Sequence, residues 1–209
     1  MTTPSHDLHA RDFALGADML RSSTELAHQE VERIMALPGS IETMADYRRW
    51  LVRFFGIYQP LEYLLRGFAG WTATDIRPHQ MGHTEALLKD LKVLKFDPDH
   101  IELASQNALP VIETFGQAFG ALYVLEGSKL GGRHILRDLS NRLGREIEGR
   151  DAFLTGNGAY TAIRWASFKA SLNHFSALRP AEFPEIIAGA KMTFAAIGDW
   201  MLPLADKRA

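Results

Sequence analysis

The segment FGQAFGALYVLEGSKLGGRHIL, residues 115–136, places glycine at positions 116, 120, 127, 131 and 132 inside a pattern that otherwise has helical periodicity. At about 100° per residue, Gly116, Gly120, Gly127 and Gly131 fall within roughly 60° of one another on a helix, with Tyr123 and His134 beside them. Each interior glycine costs roughly 0.8–1 kcal/mol relative to alanine, so the four give up on the order of 3–4 kcal/mol of helix propensity. A face stripped of side chains at that cost has to be touched closely by something. Two kinds of partner meet the requirement: another helix crossing at short range, or a flat, rigid ligand lying against the backbone.

Apolar residues recur at helical spacing through nearly the whole chain, and no stretch alternates with period two for long enough to build a sheet. The expected fold is all-α. Residues 12–36 carry a stripe at Leu20, Thr24, Ala27, Val31 and Ile34, closed by Leu37-Pro38-Gly39. Thr43 and Asp46 form a capping-box pattern that opens a helix through DYRRWLVRFFGIY, with Pro60 as an expected interruption before LEYLLRGF. Further helices are expected over about 80–95, from near Pro110 to Gly144, through IRWASFKASLNHF, and through EIIAGAKMTFAAIGDWML; Asp97-Pro98 marks a start, and Gly70–Pro78 and EGRDAFLTGNGAY read as loops. No internal repeat or linker divides the chain. The expectation is one multi-helix bundle over residues 12–204, preceded by a flexible N-terminus, 1–11.

With 209 residues, 46% of them hydrophobic, such a bundle is large enough for a proper core and a pocket. A net charge of −2 with dispersed Lys and Arg offers no basic field for nucleic acid. The chain has no cysteine, which excludes disulfides, thiolate nucleophiles, iron–sulfur clusters and thiolate-ligated haem together. The polar start MTTPSHDLHARD lacks the blocks of a signal peptide, and no apolar run is long enough to span a membrane, so a soluble cytoplasmic protein is expected.

Histidine is then the leading candidate for a metal contact. In MLRSSTELAHQEVERIM, His28 borders the apolar stripe, Glu32 follows one turn later on the same face, and Arg21 precedes it by two turns. A metal-bound imidazole commonly gives its other N–H to a carboxylate, a role open to Glu32. Arg21 is placed to reach an anionic substituent of the same ligand. A half-buried, hydrogen-bonded histidine among ordinary surface charges accounts for the same residues.

Taken together, LRSSTELAHQEVE resembles the proximal-histidine helix of the haem oxygenase family, and ALYVLEGSKLGGRHI resembles that family's distal helix. Similarity extends to YRRWLVRFFGIYQPLE, to EALLKDLKVL and to the spacing of Trp165, Phe168 and Leu172, so it covers most of the chain. The Glu-Gly-Ser-x-Leu-Gly-Gly pattern is similar to the bacterial branch that includes haem oxygenases associated with bacteriophytochromes. The resemblance implies haem b sandwiched between a proximal helix and a kinked distal helix. It also implies oxidative ring opening to biliverdin with release of CO and ferrous iron, using molecular oxygen and electrons from an external donor of ferredoxin or flavoprotein type. A bacteriophytochrome is implied as a biliverdin acceptor, and no nucleic acid or membrane as a partner.

Carried over residue by residue, His28 is the iron ligand and Glu32 its orienting partner; Gly127, Gly131 and Gly132 form the distal wall, with Tyr123 beside it. A neutral imidazole lacks the thiolate push that favours O–O cleavage, in keeping with oxygen being steered to the ring itself. Gly127, Ser128 and Gly131 are the expected catalytic positions. Mammalian members carry an aspartate where this chain has Ser128, which leaves proton delivery open among Ser128, Tyr123, His134 and ordered water. Lys169, Arg164 and Arg133 are further candidates for the propionates, and Lys129 is expected to face solvent. The His79/His83 pair has metal-ligand spacing but lacks the glutamate of a zinc-protease motif, and EGSKLGG lacks the spacing of a phosphate loop. A haem carrier or sensor that keeps the pocket without turnover is the alternative reading, with a plain helical interaction module, or a relative of thiamin-degrading or quinone-cofactor enzymes, further away.

Overall fold

The computed structural model describes residues 15–77 and 82–205, and among these it is built of helices with no strand. The expected flexible segment 1–11 and His79 lie outside the described residues. Helix α1 spans Leu15–Met35, α2 Met44–Arg66, α3 His83–Val93, α4 Phe115–Leu143, α5 Ala152–Thr155, α6 Thr161–Leu178 and α7 Phe183–Ala205, with short 3-10 turns between them. No helix among the described residues is long and apolar enough to cross a membrane.

The stripe on α1 is buried as its spacing requires, with Leu20, Thr24, Val31 and Ile34 all inside. It packs mainly on α7, and its first turn is held from α6, where Asn173 Oδ1 accepts from the Ala17 N–H at 2.7 Å. The Thr43–Asp46 capping box opens α2 as its pattern predicts. Pro60, however, does not interrupt that helix. A proline cannot donate to the carbonyl four residues back, and here the orphaned Gly56 carbonyl accepts instead from the Ala104 N–H at 2.8 Å. Gly56 also lets that segment come close, since a Cβ there would lie 2.6 Å from the Glu102 carbonyl oxygen.

Helix α4 starts five residues later than the expected Pro110, at a second capping box made by Thr114 and Gln117. It runs without interruption through all its glycines to Leu143. The expected helix after Asp97-Pro98 is only a 3-10 turn, and the expected loop after Glu148 holds α5. That short helix is capped at long range: the Asp90 carboxylate on α3 accepts from the Ala152 and Phe153 N–H groups at 2.8 and 2.9 Å. Phe115, Phe119, Trp71, Phe168 and Phe175 form an aromatic cluster between α4 and α6.

Candidate haem site between α1 and α4

The bare stripe of α4 is divided between two uses. At its N-terminal end it is a helix seam: a Cβ on Gly120 would lie 1.9 Å from the Ile186 carbonyl oxygen of α7, and one on Gly116 would lie 2.9 Å from Glu185 Cβ. Gly189 of α7 answers from the other side, pressed on the backbone of Gln117. Two turns further along α4 the same face is open. A Cβ on Gly131 would meet nothing within 4 Å, and one on Gly127 would make only ordinary contact with the Trp165 ring at 3.6 Å. The helix weighed from the sequence as a close partner is therefore present at Gly116 and Gly120, while Gly127 and Gly131 are left open.

Gly132 does not share this open face. A Cβ there would lie 2.4 Å from the Leu154 carbonyl oxygen, so this glycine serves the α4–α5 contact. Adjacent helical residues differ by about 100° in direction, which separates it from Gly131. The expectation that Lys129 faces solvent is corrected: it is buried, ion-paired with Glu126 at 2.8 Å. Burial pushes its ammonium below the ordinary lysine range, against the pull of Glu126.

Helices α1 and α4 both pack on α7, and Tyr123 of α4 lies near Thr24 and Arg21 of α1, whose side chains favour its ionised form, while the Thr24 hydroxyl donates to the Leu20 carbonyl at 2.8 Å. Burial pushes the Tyr123 phenol above its ordinary range. His28 lies one turn beyond Thr24 along α1, and Gly127 one turn beyond Tyr123 along α4. His28 is half exposed, its ring set edge-on to Phe194 at 5.5 Å, and its Nδ1 lies 3.7 Å from a Glu32 carboxylate oxygen. That distance is a loose ion-pair contact rather than a hydrogen bond. No partner among the described residues occupies the other ring nitrogen, and no cluster of three metal-ligating side chains competes with it there. A histidine with one unpartnered nitrogen and a neighbouring carboxylate, on a helix that shares α7 with the bare stretch of α4, has the donor chemistry to hold a metal macrocycle.

The remaining residues named from the sequence distribute as follows. Arg21 is exposed and near Tyr123, and Lys169 follows Trp165 by one turn on α6, partly buried. Trp165 links these elements, 5.5 Å from Tyr123 and stacked on Phe168. Ser128 is exposed, its hydroxyl donating to the Leu125 carbonyl at 2.7 Å and lying near the buried Tyr58 phenol. His134 is exposed further along α4. Arg133 points elsewhere, lining with Arg137, Leu136 and Ala159 a cavity of about 620 Å³ that includes neither His28 nor the open glycines. Sequence reasoning missed Glu62 and the role of His83, which are both buried beneath α4, in contact with one another and with the Leu125 carbonyl.

Comparison with known proteins bears on the whole arrangement. The fold is similar to that of the heme oxygenase of Neisseria meningitidis, seen in its NO- and CO-bound crystal structures, with a TM-score of 0.76 and 22% sequence identity over 91% of this chain and 92% of that one. Comparison with curated proteins gives no match. The sequence pattern of the family described as Heme oxygenase matches residues 15–202, which takes in α1, α4 and nearly all of α7, and the chain belongs to the heme oxygenase family of haem-degrading enzymes.

Proposed function

We propose that this protein opens haem b oxidatively to biliverdin, with release of CO and ferrous iron, and that His28 is the iron ligand. The observation that supports the reading is a histidine with one unpartnered ring nitrogen on α1 together with the open glycines of α4, on two helices that both pack on α7 and come near each other at Thr24 and Tyr123. Haem is the substrate and supplies the iron at which oxygen is activated. The chain supplies the rest. His28 holds the ring from one side with Glu32 biasing its orientation, while Gly127 and Gly131 let backbone approach from the other. A wall without side chains leaves little freedom for a small ligand on that side, and a misplacement of about 1 Å in such a site can cost on the order of 100-fold.

Tyr123 and Trp165 border the ring, and Arg21 and Lys169 are the cations for its propionates. Ser128 is exposed next to Gly127, and its hydroxyl, which donates to the Leu125 carbonyl, keeps oxygen lone pairs that suit it to hold a water there. The external electron donor, of ferredoxin or flavoprotein type, a bacteriophytochrome as biliverdin acceptor, and a cytoplasmic setting belong to the same reading; their support is the similarity of the Glu-Gly-Ser-x-Leu-Gly-Gly segment to the bacterial branch. Hemin added to the protein, then an electron donor under air, is the direct test. Replacement of a Soret band by biliverdin absorption is expected. A Soret band that persists without ring opening would instead establish a haem carrier.

A further inference from the structure

Beneath α4, on a part of the molecule that the haem reading does not use, two ionisable side chains are almost completely buried. His83, the first residue of α3, and Glu62 of α2 are each 1% exposed. The His83 Nδ1 lies 2.8 Å from Glu62 Oε1, and its Nε2 lies 2.9 Å from the carbonyl oxygen of Leu125 in α4. Glu62 already accepts from the His83 N–H at 3.0 Å, the Thr84 N–H at 3.4 Å and the Arg66 guanidinium at 3.2 Å. A carboxylate with that many donors is ionised, and although burial opposes the charge, the His83 bonds and charge hold Glu62 below the usual carboxylate range.

An ionised carboxylate and a backbone carbonyl have no hydrogen to give. Both ring nitrogens of His83 therefore have to donate, which makes the ring an imidazolium. The other groups facing the pair are Tyr58, whose ring lies 5.4 Å from the imidazole, Arg66, and the Lys129–Glu126 pair on α4, whose ammonium feels Glu62. The Leu125 carbonyl also receives the Ser128 hydroxyl, so the imidazolium grips α4 two residues before Gly127 and at the carbonyl that orients Ser128.

We propose that the His83 imidazolium, backed by Glu62, is a positioning residue that clamps α4 at the Leu125 carbonyl and so sets where Gly127 and Ser128 meet the tetrapyrrole. The clamp stands on the buried contacts alone; its consequence for turnover rests on the haem oxygenase reading. A charge-assisted bond to a helix carbonyl is stronger than a neutral one and holds a narrower geometry.

The test has one arm without haem and one with it. In the ¹⁵N-labelled apoprotein at neutral pH, both His83 ring nitrogens are expected to give protonated-type signals; a ring with one bare nitrogen overturns the clamp. In His83→Gln, the amide signals of Leu125–Ser128 should move, hemin affinity should stay within about threefold, and turnover should fall on the order of 10- to 100-fold with a changed ratio of biliverdin isomers. Unchanged turnover and isomer ratio in a folded His83→Gln protein would overturn the positioning role. Should that variant fail to fold, Glu62→Gln gives the same readings, because it removes the anion that holds the imidazolium in place. A wild-type protein that binds no hemin but shows the doubly protonated ring would sink the haem reading and leave the clamp standing.

Discussion

His28 has the exposure of a surface residue, with one ring nitrogen beside Glu32 and the other unpartnered among the described residues. Because the side chain is 51% exposed, His28→Ala should leave the thermal midpoint nearly unchanged, within about 0.5 kcal/mol of stability. Ligation is where the change is expected: the hemin complex should lose its histidine-ligated spectrum and its biliverdin formation. A wild-type spectrum and undiminished turnover in this variant would remove His28 from the site. Glu32→Ala should be much milder. A 3.7 Å contact between exposed groups is worth about 0–1 kcal/mol, so hemin affinity should change by less than roughly fivefold in a titration. A loss as complete as that in His28→Ala would show that Glu32 does more than orient the ring.

Along α4, four glycines with the same residue type and nearly the same helical phase have opposite consequences when replaced. Gly120→Ala would set a methyl 1.9 Å from a backbone carbonyl of α7, and neither helix can yield without opening the seam. It should destabilise the apoprotein by about 1–3 kcal/mol or more, whether or not hemin is present. Gly131→Ala meets no atom within 4 Å and should recover about 0.8–1 kcal/mol of helix propensity. Denaturant midpoints of the two variants should therefore move in opposite directions, while hemin turnover is impaired in the Gly131 variant despite its greater stability. A Gly131→Ala protein of normal activity would show that the open face does not meet the ring. The same helix is held from beneath by the buried ion pair and from its end by α7, so its open stretch is the part free to serve a ligand.

For the molecule as a whole, the buried pair makes stability depend on acid. Glu62 is held below its ordinary value near 4.5, so its contribution is fully present above that pH and is lost as pH falls through the lowered native value. Urea denaturation at a series of pH values should show wild-type stability falling on the acid side. In Glu62→Gln the neutral-pH stability should drop and this part of the acid slope should flatten. A variant with the wild-type slope would show that Glu62 is not an ion in the native protein. Long-range ties, Asn173 to α1, Asp90 to α5 and Ala104 to Gly56, join segments distant in sequence around the apolar core.

The helices themselves were determined by the sequence, because what makes them is local: the buried stripe of α1 repeats every turn, and the Thr43–Asp46 box closes within three residues. The Thr114–Gln117 box was equally local and marks the true start of α4 better than Pro110 does. His28 with Glu32, and a stripe of glycines on one helix, were legible for the same reason. Pro60 was not, since the donor that satisfies the Gly56 carbonyl comes from Ala104, far along the chain. Nor was the division of the glycines, because a missing side chain has the same sequence signature whether a helix or open space faces it; only the path of α7 decided that Gly120 is covered and Gly131 bare. His83 and Glu62 are separated by 21 residues, and His83 and Leu125 by 42, so no periodicity could join them. Spacing within a turn encodes a helix and its faces, whereas burial and close approach are properties of two elements, and only the tertiary structure brings the second one to the first.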